Sequence, residues 1–132
     1  FYLGERDDTM VNYKTLVLGA TPNPERYAYK AVHLLKSNNI EVVPMGIKEG
    51  EIASLPIVPL FEPQENIHTV SLYLGEARQE PYYDFIVNLK PKRVIFNPGT
   101  ENIAFAQKLE KNGISWENAC TLVLLSTNQY KS

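Results

Sequence analysis

The 132-residue chain is short of the side chains that announce covalent or metal chemistry, with one cysteine and two histidines. A single cysteine excludes an intrachain disulfide framework and any metal site built wholly from thiolates. Neither sign of charge prevails: 13 Lys and Arg stand against 15 Asp and Glu, a net charge of −2. Nothing electrostatic therefore points to nucleic acid or an anionic membrane as a partner. No run approaches the roughly 18 apolar residues of a membrane-spanning helix. No basic start leads into an apolar core and small-residue cleavage site, so no secretory signal is read. There is no internal repeat and no low-complexity tract. The expectation is a soluble, cytoplasmic protein.

What is present suits one compact domain. Hydrophobic residues make up 44% of the chain, and a chain of this length buries roughly two thirds of its unfolded surface. Residues 1–9 (FYLGERDDT) show no apolar period. Residues 1–12 read as an extension, in part vector-derived, with the true start near Met10 and a solvated Asp7-Asp8 pair. Residues 13–132 read as a single domain.

From there strands and helices alternate. Residues 15–18 (TLVL) form a β-branched, apolar run ending at Gly19. Ala28, Ala31, Val32 and Leu35 then fall on one helical face. Residues 40–44 (IEVVP) read as the second strand, 45–55 as a loop, and 57–60 as a short edge strand flanked by Pro56 and Pro59. Residues 68–74 (HTVSLYL) are the next strand. Pro81 opens a helix carrying Tyr82, Phe85, Ile86 and Leu89 on one face. Residues 93–96 (RVIF) are a strand, Phe105, Ala106 and Leu109 mark a third helix ended by Asn112-Gly113, and residues 114–116 are a last strand. Residues 121–127 (TLVLLST) suit a strand or a short buried helix. This alternation predicts an α/β fold, a Rossmann-like doubly wound, mostly parallel sheet of about five strands with helices on both faces.

In such sheets ligands bind outside the carboxyl ends of the strands. The candidate site residues are therefore Gly19, Ala20, Thr21, Pro22 and Asn23 after the first strand, Pro44, Gly46 and Lys48 after the second, Gly75 after the third, and Asn97, Pro98, Gly99 and Thr100 after the fourth. The first turn runs into a helix start, whose free amides and dipole favour phosphate. Thr21 and Asn23 offer side-chain donors there, and Arg26 stands in the first helical turn. Alone, each of these is an ordinary turn, cap or surface charge; four Gly- or Pro-bearing strand ends on one rim favour a ligand. A dinucleotide fingerprint needs three spaced glycines and an acid at the end of the second strand. Here Thr21 and Pro24 occupy the second and third glycine positions, and the only acid of that strand, Glu41, is at its amino end. The phosphate-loop pattern of the nucleotide triphosphatases is also absent.

Gly19-Ala20-Thr21-Pro22-Asn23-Pro24 and Asn97-Pro98-Gly99-Thr100-Glu101, in that strand order, resemble the small stand-alone CoA-binding proteins. That family is similar to the amino-terminal CoA-binding domain of the succinyl-CoA synthetase alpha subunit, and the resemblance runs from about Lys14 to the end. It implies coenzyme A as the ligand, with the Gly19 loop on its phosphates. It sets Lys48 beside a phosphate of the 3′-phospho-ADP part, and Gly75 with residues 97–100 along the pantetheine arm. The synthetase has a further domain with a phosphorylated histidine and a separate nucleotide-binding subunit; this chain has neither, which puts ligase activity in doubt.

Other candidates read blandly. His33 lies opposite the apolar helix face, beside Lys30, as a solvated residue, and His68 precedes its strand, away from the rim. Cys120 follows the last strand; a structural thiol is preferred to a mixed disulfide with CoA, since no Lys or Arg neighbours it. Tyr82 belongs to a core stripe, and Tyr29 faces the ligand or water. The expected function is binding of CoA or an acyl-CoA without catalysis, as a monomer or homodimer. The alternatives are a CoA-binding component of an acyl-CoA ligase or transferase completed by a partner chain, and a regulatory NAD(P)-binding module.

Overall fold

The computed structural model describes residues 11–131. The first ten residues of the expected extension, including Asp7-Asp8 and Met10, lie outside them. The elements follow in the order β1 (Thr15–Leu18), α1 (Tyr27–Ser37), β2 (Val42–Met45), β3 (Glu51–Ile52), β4 (Leu55–Pro56), β5 (Thr69–Leu72), α2 (Tyr83–Leu89), β6 (Arg93–Phe96), α3 (Ile103–Lys111), β7 (Ser115–Asn118) and α4 (Thr121–Ser126). Two 3-10 turns, Glu76–Arg78 and Glu80–Tyr82, lead from β5 into α2.

Five strands pair in parallel in the order β2-β1-β5-β6-β7. β1 and β5 are central and wholly buried, which is why they read as continuous rather than alternating apolar runs. Side chains leave a strand alternately to its two faces. Leu16, Leu18, Val70, Leu72, Val94 and Phe96 pack on one face with Ile86 of α2 and Phe105 and Leu109 of α3. Val17 and Ile95 point the other way, to Ala28, Val32 and Leu35 of α1 and Leu125 of α4. The sheet is thus an α/β sandwich of the Rossmann-like kind, with helices on both faces. The chain steps outward from β1 to β2, then crosses back over β1 to β5. The crevice between β1 and β5 is the topological switch point. Among the described residues no helix is long and apolar enough to cross a membrane.

The structure departs from the sequence reading at residues 57–60, at 45–55 and at the start of β2, and it decides residues 121–127, which that reading left open between strand and helix. Residues 57–60 are not a strand: Val58 alone bridges Met45, donating to the Pro44 carbonyl at 2.9 Å and accepting from Gly46 N at 3.2 Å. Pro56 and Pro59, on either side, have no amide to extend the ladder. The expected loop 45–55 contains a hairpin, β3 to β4, turning through Ala53 (φ 53°) and Ser54 (φ 68°). Two left-handed residues define a type I′ turn, which ordinarily announces itself through Asn and Gly; Ala-Ser hides it. Residues 121–127 resolve as helix α4, packed against α1. β2 begins at Val42 because Ile40 N bonds back to Leu35 O at 3.0 Å, closing α1.

The amino ends of the strands carry an aromatic and cationic cluster. Arg93 lies over the Tyr130 ring, 4.3 Å from its centroid, and its Nη2 donates to the Tyr130 carbonyl at 2.8 Å. Its Nε donates to Thr69 Oγ1 at 2.9 Å, which leaves the Thr69 hydroxyl hydrogen for Nδ1 of neutral His68, 2.8 Å away. Burial, then the charges of Arg93 and Lys92, hold the His68 pKa below its ordinary 6.5. The unfolded chain therefore takes up a proton at His68 first, and the contribution present above pH 6.5 is lost as pH falls. The free energy of unfolding should drop between about pH 7.5 and about pH 5.5 in the parent and less so in His68→Gln, measured by denaturant titration. Equal drops in both would remove His68 from the account.

Candidate functional site

A cleft of about 700 Å³ opens at the carboxyl ends of β1 and β5. Its floor is built by two close backbone approaches. Gly19 sits at φ +104°, and a Cβ there would stand 3.1 Å from the Tyr73 carbonyl carbon and oxygen. A Cβ on Gly46 would fall 2.1 Å from the Ala20 carbonyl oxygen, closer than any side chain tolerates. The amides of Gly19 and Ala20 both donate to the Met45 carbonyl at 2.9 Å. These two donors, candidates for a ligand on sequence grounds, are thus committed to tying the β1 turn to β2.

The turn continues through its own polar groups. Asn23 N donates to Thr21 Oγ1 at 3.3 Å, Glu25 N to Asn23 Oδ1 at 3.0 Å, and Arg26 N to the Asn23 carbonyl at 3.2 Å. The N-cap of α1 is the extended residue Arg26, and no side chain caps it. The first helical bond joins Lys30 N to Arg26 O, so the amides of Tyr27, Ala28 and Tyr29 have no acceptor within the helix. Tyr27 and Ala28 line the cleft. Two of these unspent donors, those of Tyr27 and Ala28, and the positive end of the helix thus border that space.

Thr21, Asn23, Glu25 and Arg26 complete the α1 wall. Leu60, Arg78 and Tyr82 form the opposite wall, Tyr73, Leu74 and Gly75 lie between, Ile47 and Lys48 close the β2 end, and Pro98, Gly99 and Thr100 close the β6 end. The ion pairs of the described residues join Lys14 to Glu41, Arg93 to Glu117 and Lys108 to Asp84. Arg26, Lys48 and Arg78 belong to none of them. The cleft therefore holds three unpaired cations against one acid, Glu25.

The rim is held from behind by a polar framework. Asn97 Nδ2 donates to Ser71 Oγ (2.9 Å) and Leu72 O (2.8 Å), while its Oδ1 accepts from Thr121 N. Gln79, only 1% exposed, donates from Nε2 to Leu74 O and Thr100 O, both at 2.8 Å. Its Oε1 accepts from Asn102 Nδ2 at 2.9 Å.

Of the residues expected at the site, Gly19, Ala20, Thr21, Asn23, Arg26, Gly46, Lys48, Gly75, Pro98, Gly99 and Thr100 line the cleft. Three do not. Asn97 is buried and spent on the clamp just described. Pro44 is buried within β2, opposite Val17. Pro22 turns away toward Gly50, where a Cβ would meet its ring at 3.0 Å. Tyr29 does not line the cleft either: its ring lies 4.8 Å from that of His33 and packs on the α1-side core. Tyr27, two residues earlier, takes the place at the mouth. Cys120 is half-buried at the N-cap of α4 and is not part of the lining. Sequence reasoning missed Arg78, Tyr27, Tyr73 and Leu60, and it assigned Tyr82 to the core alone. Arg78 and Tyr82 stand three and seven residues beyond Gly75, and that short distance from a strand end was the available signal.

The Tyr73 hydroxyl is buried near the Ser71 and Thr121 hydroxyls, which bond to each other, and makes no hydrogen bond of good geometry among the described residues. Burial pushes its pKa up to about 12, so it stays neutral throughout the physiological range.

The fold has known counterparts. The family model described as "CoA binding domain" matches residues 13–126. The chain belongs to that family. It is 46% identical to a solved uncharacterized protein, covering 90% of this chain and 98% of that one, with a TM-score of 0.87. A Thermus thermophilus protein at 18% identity covers 96% of both chains (TM-score 0.79). A hypothetical protein from Pyrococcus horikoshii OT3 at 23% identity, covering 93% of this chain and 87% of that one, gives the same score. These two share the fold. No curated protein matches the chain.

Two substitutions test the floor of this CoA-binding domain. Gly46→Ala forces the β1 and β2 loops apart and should cost roughly 1–3 kcal/mol of stability in denaturant unfolding; an unchanged midpoint would mean the loops yield freely. Tyr73→Phe removes a buried hydroxyl that has lost water without gaining a hydrogen bond of good geometry, so stability should hold or rise by up to about 1 kcal/mol. A clear loss would show that the hydroxyl is bonded in solution.

Proposed function

We propose that the cleft at the β1–β5 switch point binds coenzyme A or an acyl-CoA and performs no chemistry of its own. One observation carries this reading: the uncapped start of α1 opens onto a cleft whose three cations have no ion-pair partner among the described residues. Unpaired positive charge beside free amides is chemically complementary to a ligand rich in phosphate. Membership of the CoA binding domain family names that ligand.

In this reading the pyrophosphate lies at the amides of Tyr27 and Ala28, with Thr21, Asn23 and Arg26 around it. Lys48 takes the 3′-phosphate. Gly75, Pro98, Gly99 and Thr100 border the path of the pantetheine arm. A cleft of about 700 Å³ is of ordinary size for a cofactor site. The chain leaves β2 through Gly46, Ile47 and Lys48, which sets a cation where a dinucleotide site places its ribose-binding acid. The two histidines are far from this chemistry. His33 is exposed on the outer face of α1, and His68 sits at the opposite ends of the strands.

Calorimetric titration of the ligand-stripped protein with CoA, NAD and NADP tests the reading. CoA should bind in the micromolar range, about −8 kcal/mol, with no comparable signal from NAD or NADP. Arg26→Ala should weaken CoA by about tenfold. Binding of NAD or NADP without CoA would sink the assignment.

A further inference from the structure

The three cations of the cleft do not occupy equivalent places. Arg26 immediately precedes α1, which packs on the Val17 face of the sheet. Arg78 ends the first 3-10 turn after β5. That turn leads to Tyr82, which packs against the opposite, Leu16 face. Arg26 and Arg78 therefore flank the β1–β5 crevice from its two sides. Lys48 stands apart, beyond the end of β2, the edge of the sheet next to β1.

From this placement we infer that Arg78 grips the pyrophosphate of the bound coenzyme from the wall opposite α1, leaving the 3′-phosphate to Lys48. The inference rests on the CoA reading above and extends it to a residue that no sequence motif marked. The start of α1 and Arg78 both border the crevice between β1 and β5, whereas Lys48 follows β2, on the outer side of β1. The chemistry of the side chains agrees. A planar guanidinium donates a fork of N–H groups to neighbouring oxygens, as a diphosphate presents them, whereas an ammonium is a point charge suited to one terminal phosphate.

The base of Arg78 is fixed before any ligand arrives. Its amide donates to the Gly75 carbonyl at 2.9 Å. The next residue, Gln79, is buried and held by Leu74, Thr100 and Asn102. Ordering the arginine on binding then costs less than it would on a free loop. Glu76 and Glu80 are close in sequence, yet Arg78 pairs with neither. Its charge is exposed at the cleft and paired with no acid among the described residues.

Calorimetry of the full chain with CoA and with dephospho-CoA, which keeps the pyrophosphate and lacks the 3′-phosphate, decides the matter. Arg78→Gln should weaken both ligands by the same factor, about tenfold to a hundredfold. Lys48→Gln should weaken CoA and leave dephospho-CoA unchanged. The melting temperature should be that of the parent in both variants, because neither side chain bonds to the protein. Arg78→Lys should recover only part of the loss, since it restores charge without the fork. The inference is overturned if Arg78→Gln leaves both ligands unaffected, or if it weakens CoA alone, which would move Arg78 to the 3′-phosphate. A parent that binds neither ligand would overturn the CoA reading itself, and the inference with it, before any variant is compared.

Discussion

The Met45 carbonyl accepts two hydrogen bonds, from the amides of Gly19 and Ala20, and so draws the exit of β1 hard against the exit of β2. Room for that contact exists because Gly46 has no side chain to strike the Ala20 carbonyl. On the other side, Gly19 passes the Tyr73 backbone at a separation that a Cβ would already strain. The first turn is therefore pinned between both neighbours of β1. Everything functional hangs from it: the direction in which the chain enters α1, the open amides at the start of that helix, and the depth of the crevice beside β5. A loop free to move by an ångström would leave those amides pointing into water.

The far rim is held by a different device. Asn97, Gln79 and Asn102 are buried polar residues with their hydrogen-bonding capacity spent on backbone and neighbouring side chains. A buried amide with good partners is tolerable, and one that loses them is costly. This makes the clamp cooperative: β5, β6, the start of α4 and the 3-10 turns share it. The cations that line the cleft are exposed and in no ion pair among the described residues, while the side-chain amides of Asn97, Gln79 and Asn102 are buried and hydrogen-bonded. A site for a charged ligand needs both, since charge held by the protein's own acids is not available to the ligand.

The two ends of the sheet have been given different tasks. At the carboxyl ends, charge is left open. At the amino ends it is closed: Arg93 is enclosed by Tyr130, Thr69 and Glu117, and Thr15 bonds the Tyr130 hydroxyl at 2.6 Å. That closure fastens the last described turn of the chain to the start of β1.

Much of this was legible in the linear chain. Apolar runs in 15–18 and 93–96, and the helical period of Ala28, Ala31, Val32 and Leu35, depend on local pattern alone, and so the alternation of strand and helix and the parallel sheet followed from them. The motifs at Gly19 and Asn97 carried the family. What escaped was set by contacts between distant residues. The Ala53-Ser54 hairpin has no Gly or Asn to betray it, because tertiary packing holds those backbones left-handed. Asn97 looked like a ligand contact and is a strut, because Thr121, Ser71 and Leu72 reach it first. Arg78 looked like any surface charge and faces the cleft, because a buried glutamine one residue on fixes the turn that carries it. Local periodicity determined which segments are strands and helices; only the close approach of strand ends decided which polar groups were consumed by the protein and which were left for a ligand.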